Sequence, residues 1–412
     1  MTTKARGRYL SLLARNADLR RIYLSRLVSF GGDWFLLVPM LGLVNELSGS
    51  AVLTAAVLAA NTLPAFLASP LGGVMADRFD RRRIMVWANV AAAVAAATML
   101  VVDHPRLTAA GASVPVALLG LAVLAALSAL ISPASSAAIP AIVAPEDLAD
   151  ATFLVESTWG MMAAVGAAAG GVVSTVLGRE AAIAIDAASF LVAAWLVGRV
   201  RRPLRLQQGT GSGFHSALRQ AMVYIRSTPR VMALLTSKAG FAVFGAGAVA
   251  LLPVLALDVF EAGDAGTGWL LGARGVGVLA GPFLIRRILG GIDRKVLTAI
   301  GFTMALWGLS YLGTAAAPTL LVAALAVLVG HAGAGSQWSF SSYGLQRYAA
   351  EEVRGRVFGL DFAAVTLTST ISQLLFGWLA EQIPVRTILT WVAVAAVLFG
   401  LTWWRVTRKY WT

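Results

Sequence analysis

Apolar runs free of aspartate, glutamate, lysine and arginine dominate the chain. Residues 47–76, 84–102, 157–178, 239–257, 362–380 and 387–404 carry none of these charges. Each is long enough for a helix to cross a hydrocarbon core, which takes about 20 residues. Residues 107–145 hold one more such helix with generous ends, and residues 296–346 require two, with a turn near Ala317 and Pro318. Three further apolar stretches each contain charge: about 22–45 with Arg26 and Asp33, 181–199 with Asp186, and 266–285 with Arg274. The pattern predicts twelve transmembrane helices and an all-α integral membrane fold.

Composition agrees with the pattern. Hydrophobic residues make up 58% of the 412 and charged residues 13%, about half the charged share of a soluble domain. Such a chain cannot clothe a soluble surface, which excludes a cytosolic enzyme and a disordered chain. Cysteine is absent and histidine occurs three times. There is no HExxH and no GxSxG, so neither a metal site nor an enzyme is expected. Gly245–Ala250 matches GxGxxA, but it lies in a charge-free span with no strand before it, so it lacks the context of a dinucleotide site.

The net charge of +13 reads as basic loops rather than a nucleic-acid surface. With both termini in the cytoplasm, 27 of the 33 lysines and arginines fall on inner segments, three on outer ones (Arg106, Arg179, Arg386) and three within spans. That bias fixes the orientation by the positive-inside rule and points to the inner, cytoplasmic membrane. Arg20 and Arg21 run straight into the first apolar stretch with no A-x-A-like site, so the stretch is expected to be retained as a span.

The longest polar stretch, 199–230, holds Arg201, Arg202, the flexible run Gln207–Gly213 and an amphipathic segment Phe214–Ser227 expected on the inner membrane surface. It divides the chain into a six-helix half at 1–199, a linker at 200–229 and a second six-helix half at 230–412. The halves resemble repeats. Pro145–Glu156 aligns with Ala350–Asp361 at a constant offset, matching Glu146 to Glu351, Phe153 to Phe358 and Glu156 to Asp361, and Gly72–Arg83 resembles Gly281–Val296. Six-helix halves related by an axis along the membrane normal are a transporter architecture.

The loop after the second span reads Gly73-Val-Met-Ala-Asp77-Arg78-Phe-Asp80-Arg81-Arg82-Arg83. It resembles the G-x-x-x-D-R-x-G-R-[RK] signature of the major facilitator superfamily, with Asp80 where that family usually has glycine. The resemblance implies a cytoplasmic gate built on Gly73, Asp77, Arg78, Arg81 and Arg82. Glu156 and Asp361, equivalent across the repeat, are expected to be gate carboxylates that pair with nearby loop arginines such as Arg354 and Arg356. Gly166-Ala-Ala-Ala-Gly170-Gly171 looks like the GPxxGG of antiporter members with Ala167 in place of proline. Its small residues also suit close helix packing. Glu351–Phe358 and the amphipathic segment look like the efflux branch that includes enterobactin exporters and macrolide efflux pumps.

An ionisable group at bilayer depth costs about 2.5–3.5 kcal/mol on insertion scales, so it marks a cavity or a partner. Asp33 lies about 18 Å along the first span from Arg21, near mid-membrane, and Lys238 about 12 Å past Arg230 in the seventh. Those spans are equivalent helices, so Asp33 and Lys238 are expected to approach one another, with Asp33 loading and releasing a proton. Arg274 is expected to pair with Asp186 or Asp258. Asn61, Gln337, Trp338 and Gln373, together with Ser339 and Ser341, are expected to line an amphiphilic pocket, and His331 to be a hydrogen-bonded packing residue. These residues predict proton-coupled export of a hydrophobic or amphiphilic small molecule by a monomer. The proton is the coupling ion, and no cofactor, metal or nucleic acid is required. Uptake or lipid flipping by the same fold is the alternative. A receptor or scaffold would gain nothing from the buried charges.

Overall fold

A computed structural model of the protein describes residues 3–144, 147–204, 214–290 and 293–411. Among these residues the regular structure is helical: α1 (Thr3–Arg15), α2 (Ala17–Ser48), α3 (Ala51–Arg78), α4 (Arg81–Thr98), α5 (Pro105–Ala109), α6 (Ser113–Ile142), α7 (Leu148–Leu177), α8 (Arg179–Gly198), α9 (Phe214–Ser227), α10 (Pro229–Val254), α11 (Gly263–Ile288), α12 (Asp293–Ala316), α13 (Leu320–Tyr348), α14 (Glu351–Ala380) and α15 (Val385–Thr407). All but α1, α5 and α9 are long and apolar enough to cross a membrane, which gives the twelve spans expected. The helices overrun their apolar windows because a helix does not stop at the hydrocarbon edge. Their outer faces carry Trp87, Trp195, Trp269 and Trp391, all exposed, as lipid-facing surfaces do.

Local chemistry explains the breaks. Asn16 opens α2, its Oδ1 accepting from Leu19 N at 2.9 Å. Asp80, at the position where the family signature carries glycine, caps α4 by accepting from Arg82 N at 2.9 Å. Thr319 caps α13 through Val322 N, and the chain turns at Ala317 and Pro318 as expected. Gly178 separates α7 from α8 with φ at 88°, a conformation that favours glycine.

The chain forms two compact units, Met1–Ser48 with Ala60–Gly209, and Gly49–Ala59 with Thr210–Thr412. The second therefore takes in the start of α3 as well as the expected C-terminal half. There Ser50 Oγ donates to the Glu381 carboxylate, and a Cβ on Gly377 would stand 2.7 Å from Ala55 Cβ. Pairings recur between the units. In the first, α2 packs on α7 and α8, and α4 on α6 and α8. In the second, α10 packs on α14 and α15, and α12 on α13 and α15. This is the repeat that the sequence alignment implied.

The flexible run Gln207–Gly213 lies outside the described residues. Helix α9 is docked on its unit rather than merely laid on a membrane surface. Ala221 and Ile225 are buried, and Tyr224 Oη donates to Tyr348 O at 3.1 Å and accepts from Ala350 N at 2.9 Å. Its amphipathic pattern was legible, but one apolar face suits a bilayer and a protein groove equally.

Candidate functional site

In the first unit, the charged centre of the span bundle lies where α2 meets α8. Gly32 has no side chain, and a Cβ there would collide with Asp186 Oδ1 and Ser189 Oγ. The glycine thus lets α8 bring Asp186 against the α2 backbone, one residue from Asp33. Asp186 is fully buried and Ser189 is 8% exposed, and the charge of Asp33 acts on Asp186. Neither Asp186 oxygen has a hydrogen-bond partner among the described residues. The Ser189 hydroxyl stands at the carboxylate's edge without completing a bond of ordinary geometry. Arg26, two turns earlier on α2, is engaged elsewhere. Its guanidinium lies 4.8 Å over the Phe30 ring and donates to Ser132 Oγ at 3.4 Å.

The glycine patch supports this corner. A Cβ on Gly166 would lie 2.9 Å from Trp34 Cβ, and one on Gly170 2.9 Å from Phe35 Cα. Both contacts bring α7 onto α2 beside Asp33. Gly171 is buried on the same helix.

In the second unit, Lys238 has a partner within its own unit. It bonds to Asp361, with Nζ to Oδ2 at 2.5 Å. Lys238 is 1% exposed and Asp361 4%. The ammonium also sits 4.7 Å over the Trp338 ring and 5.8 Å from that of Phe358, so two aromatic faces replace part of its hydration. Asp361, expected as a gate carboxylate that pairs with loop arginines, is thus committed to a lysine across the α10–α14 contact. Ser372 pins the same contact further along, accepting from Gly247 N at 3.1 Å and donating to Val243 O at 2.6 Å. Gln337 is fully buried, both its amide atoms and Gln373 Oε1 have no partner among the described residues, and Trp338 is 38% exposed. Asn61 is half-buried on α3.

Arg274 lies beside Tyr311 and His331 in the second unit. Tyr311 stacks on Trp307 with ring centroids 4.2 Å apart. His331 is buried with Nδ1 3.0 Å from Val327 O, as a packing residue should be. Trp307 and Tyr311 sit in an apolar window of α12, so neither stood out in the sequence as a neighbour of an arginine. Their one signal was a polar edge in a span that also faces an arginine.

Part of the gate motif is visible. Arg81 is buried, and Arg82 donates to Val200 O at 3.0 Å, tying the start of α4 to the end of α8. Gly73 and the side chains of Asp77, Arg78, Glu156, Arg354 and Arg356 lie outside what the structure describes.

A family profile described as transmembrane secretion effector matches residues 11–411. The chain belongs to that family, within the major facilitator superfamily. Solved structures agree in fold. A bacterial homologue of the human lysosomal transporter Spinster matches with TM-score 0.70 at 14% identity, over 97% of each chain. The xylose transporter XylE from E. coli matches with TM-score 0.72 at 15% identity, over 94% of this chain and 95% of that one. A bacterial homologue of the iron transporter ferroportin matches with TM-score 0.68 at 17% identity, over 96% and 98%. No match was found among curated proteins. As a secretion effector of this superfamily, the protein is a multi-pass membrane transporter, and Asp80 shows how one member turns its signature loop with a helix cap in place of a glycine.

Proposed function

We propose that this secretion effector is a proton-coupled exporter of amphiphilic small molecules, working by alternating access in the cytoplasmic membrane with both termini inside. The Asp33–Asp186 pair carries the proposal. Two carboxylates brought together at bilayer depth, each costly to insert as an anion, are relieved when one holds a proton. A pair that differs in proton affinity between two states supplies the energy difference that coupling requires. The family description, secretion, favours outward transport. Trp338, 38% exposed beside the buried amide of Gln337, offers an aromatic face suited to amphiphilic cargo.

The test is transport in proteoliposomes under an imposed pH gradient, with a panel of drugs, siderophores and lysolipids. Wild-type protein should accumulate at least one cargo only while the gradient stands. Asp33→Asn mimics the protonated form, and should abolish uphill movement while leaving downhill exchange. Accumulation that ignores the gradient in both proteins would reject proton coupling. Substrate-induced proton release that persists undiminished in Asp33→Asn would place the proton on another carboxylate.

A further inference from the structure

A cavity of about 470 Å³ opens at the end of the first unit where α2 begins and α8 ends. Its size is within the range of small-molecule sites, about 300–1,000 Å³. Three separate stretches build it: the α1–α2 junction with Arg15, Asp18 and Arg21, the α6–α7 turn with Asp147, and the segment after α8 with Arg201 and Arg202. Four guanidinium groups therefore share one cavity with two carboxylates.

Both carboxylates are spent on the walls. Asp18 is 8% exposed and accepts from Arg201 N and Arg202 N, each at 3.1 Å, and from Arg21 Nη1 at 2.7 Å. Asp147 accepts from Arg15 Nη2 at 2.6 Å. Two backbone contacts hold the rim, with Arg202 Nη1 donating to Ile142 O at 3.1 Å and Asn16 Nδ2 to the same carbonyl at 2.7 Å. The Arg201 side chain is exposed and has no bonded partner among the described residues. What remains, among the described residues, is a walled basin with two more positive than negative charges and an uncommitted guanidinium on its edge.

We propose that this cavity is a binding site for a phosphate group, offered as the phosphodiester of an anionic lipid or as free phosphate. The planar fork of arginine matches phosphate oxygens two at a time. The basin lies at the end of the spans that the charge bias places inside, where an anionic leaflet attracts arginine. A bound phosphate would link the entry of the first span to the exit of the sixth, two segments now joined through Asp18. This site is separate from the Asp33–Asp186 pair and does not depend on the transport reading.

The experiment measures binding to the purified full-length protein in detergent by native mass spectrometry and by thermal unfolding. The probes are phosphatidylglycerol, phosphatidylcholine and inorganic phosphate at matched ionic strength. Phosphatidylglycerol, inorganic phosphate or both should bind in preference to phosphatidylcholine and raise the unfolding midpoint. Arg201→Gln should weaken that binding about fivefold, and Arg15→Gln should do likewise. The midpoint without ligand should hold in Arg201→Gln, whose side chain has no bonded partner among the described residues. Arg106→Gln, on a distant loop, should bind as wild type. Competition by inorganic phosphate assigns the site to soluble anions, and binding of phosphatidylglycerol without such competition assigns it to lipid. Equal binding in wild type and both cavity variants, or no preference for either anion, overturns the proposal.

Discussion

Lys238 shows what one residue reveals and conceals. Its depth in the seventh span was legible from the residue count, as was that of Asp361 in the eleventh. Their partnership was not, because sequence gives height along a helix but not the direction in which the side chain leaves it relative to distant helices. Asp33 was legible as a charge within the first span, and its neighbour Asp186, which α8 brings in through the gap at Gly32, was not. The buried pair makes a sharp prediction. Removing one partner strands a charge, which typically costs about 3–5 kcal/mol, whereas replacing both with apolar residues is often neutral or better. Lys238→Met and Asp361→Leu should each lower the unfolding midpoint of purified protein, and the double variant should recover most of the loss. A double variant no more stable than the worse single one would mean that the ion pair itself is not what holds α10 to α14.

The element scale is where the sequence spoke most clearly. A helix in lipid must satisfy its backbone internally and present apolar side chains outward, so most spans left a charge-free window, and the three that carry a charge were still apolar enough to read. Helix α1 left no such window because it is short and polar, and α9 was placed by its amphipathic face, which does not say what covers it. The Gly166–Gly171 stretch was legible as small residues and not as a contact. The structure supplies the contact, with the α2 backbone near Trp34 and Phe35 within reach of any added side chain. Gly170→Val should therefore force α7 from α2 and cost at least the roughly 1–3 kcal/mol of an overpacked core. Gly359→Ala, where an added Cβ meets nothing within 4 Å, should be neutral or slightly stabilising, as alanine is the better helix former. Folded yield and thermal midpoint check both. A Gly170→Val protein as stable as wild type would show that the close approach at that crossing is not required.

At the scale of the whole molecule, the repeat of helix pairings in the two units was foreshadowed by two short alignments and by the six-plus-six count. The side each loop faces rests on charge alone. Arginine and lysine resist transfer across the membrane, so the 27 assigned to one side against three to the other predict the direction of insertion. The 199–230 linker carries Arg199, Arg201, Arg202 and Arg205 directly after the sixth span, whereas the loop from Asp103 to Thr108 carries Arg106 alone. The absence of cysteine makes the prediction simple to read, since each introduced thiol is the sole target. Asp103→Cys, at an exposed position, should react with a membrane-impermeant maleimide on intact cells. Gly211→Cys in the linker should react only after the membrane is opened. Reaction of both thiols from the same side would break the twelve-span order itself, because an odd number of crossings, three, separates the two loops. A clean exchange of the two patterns would keep the spans and reverse the orientation, and would move the arginine basin beside α2 to the outer leaflet.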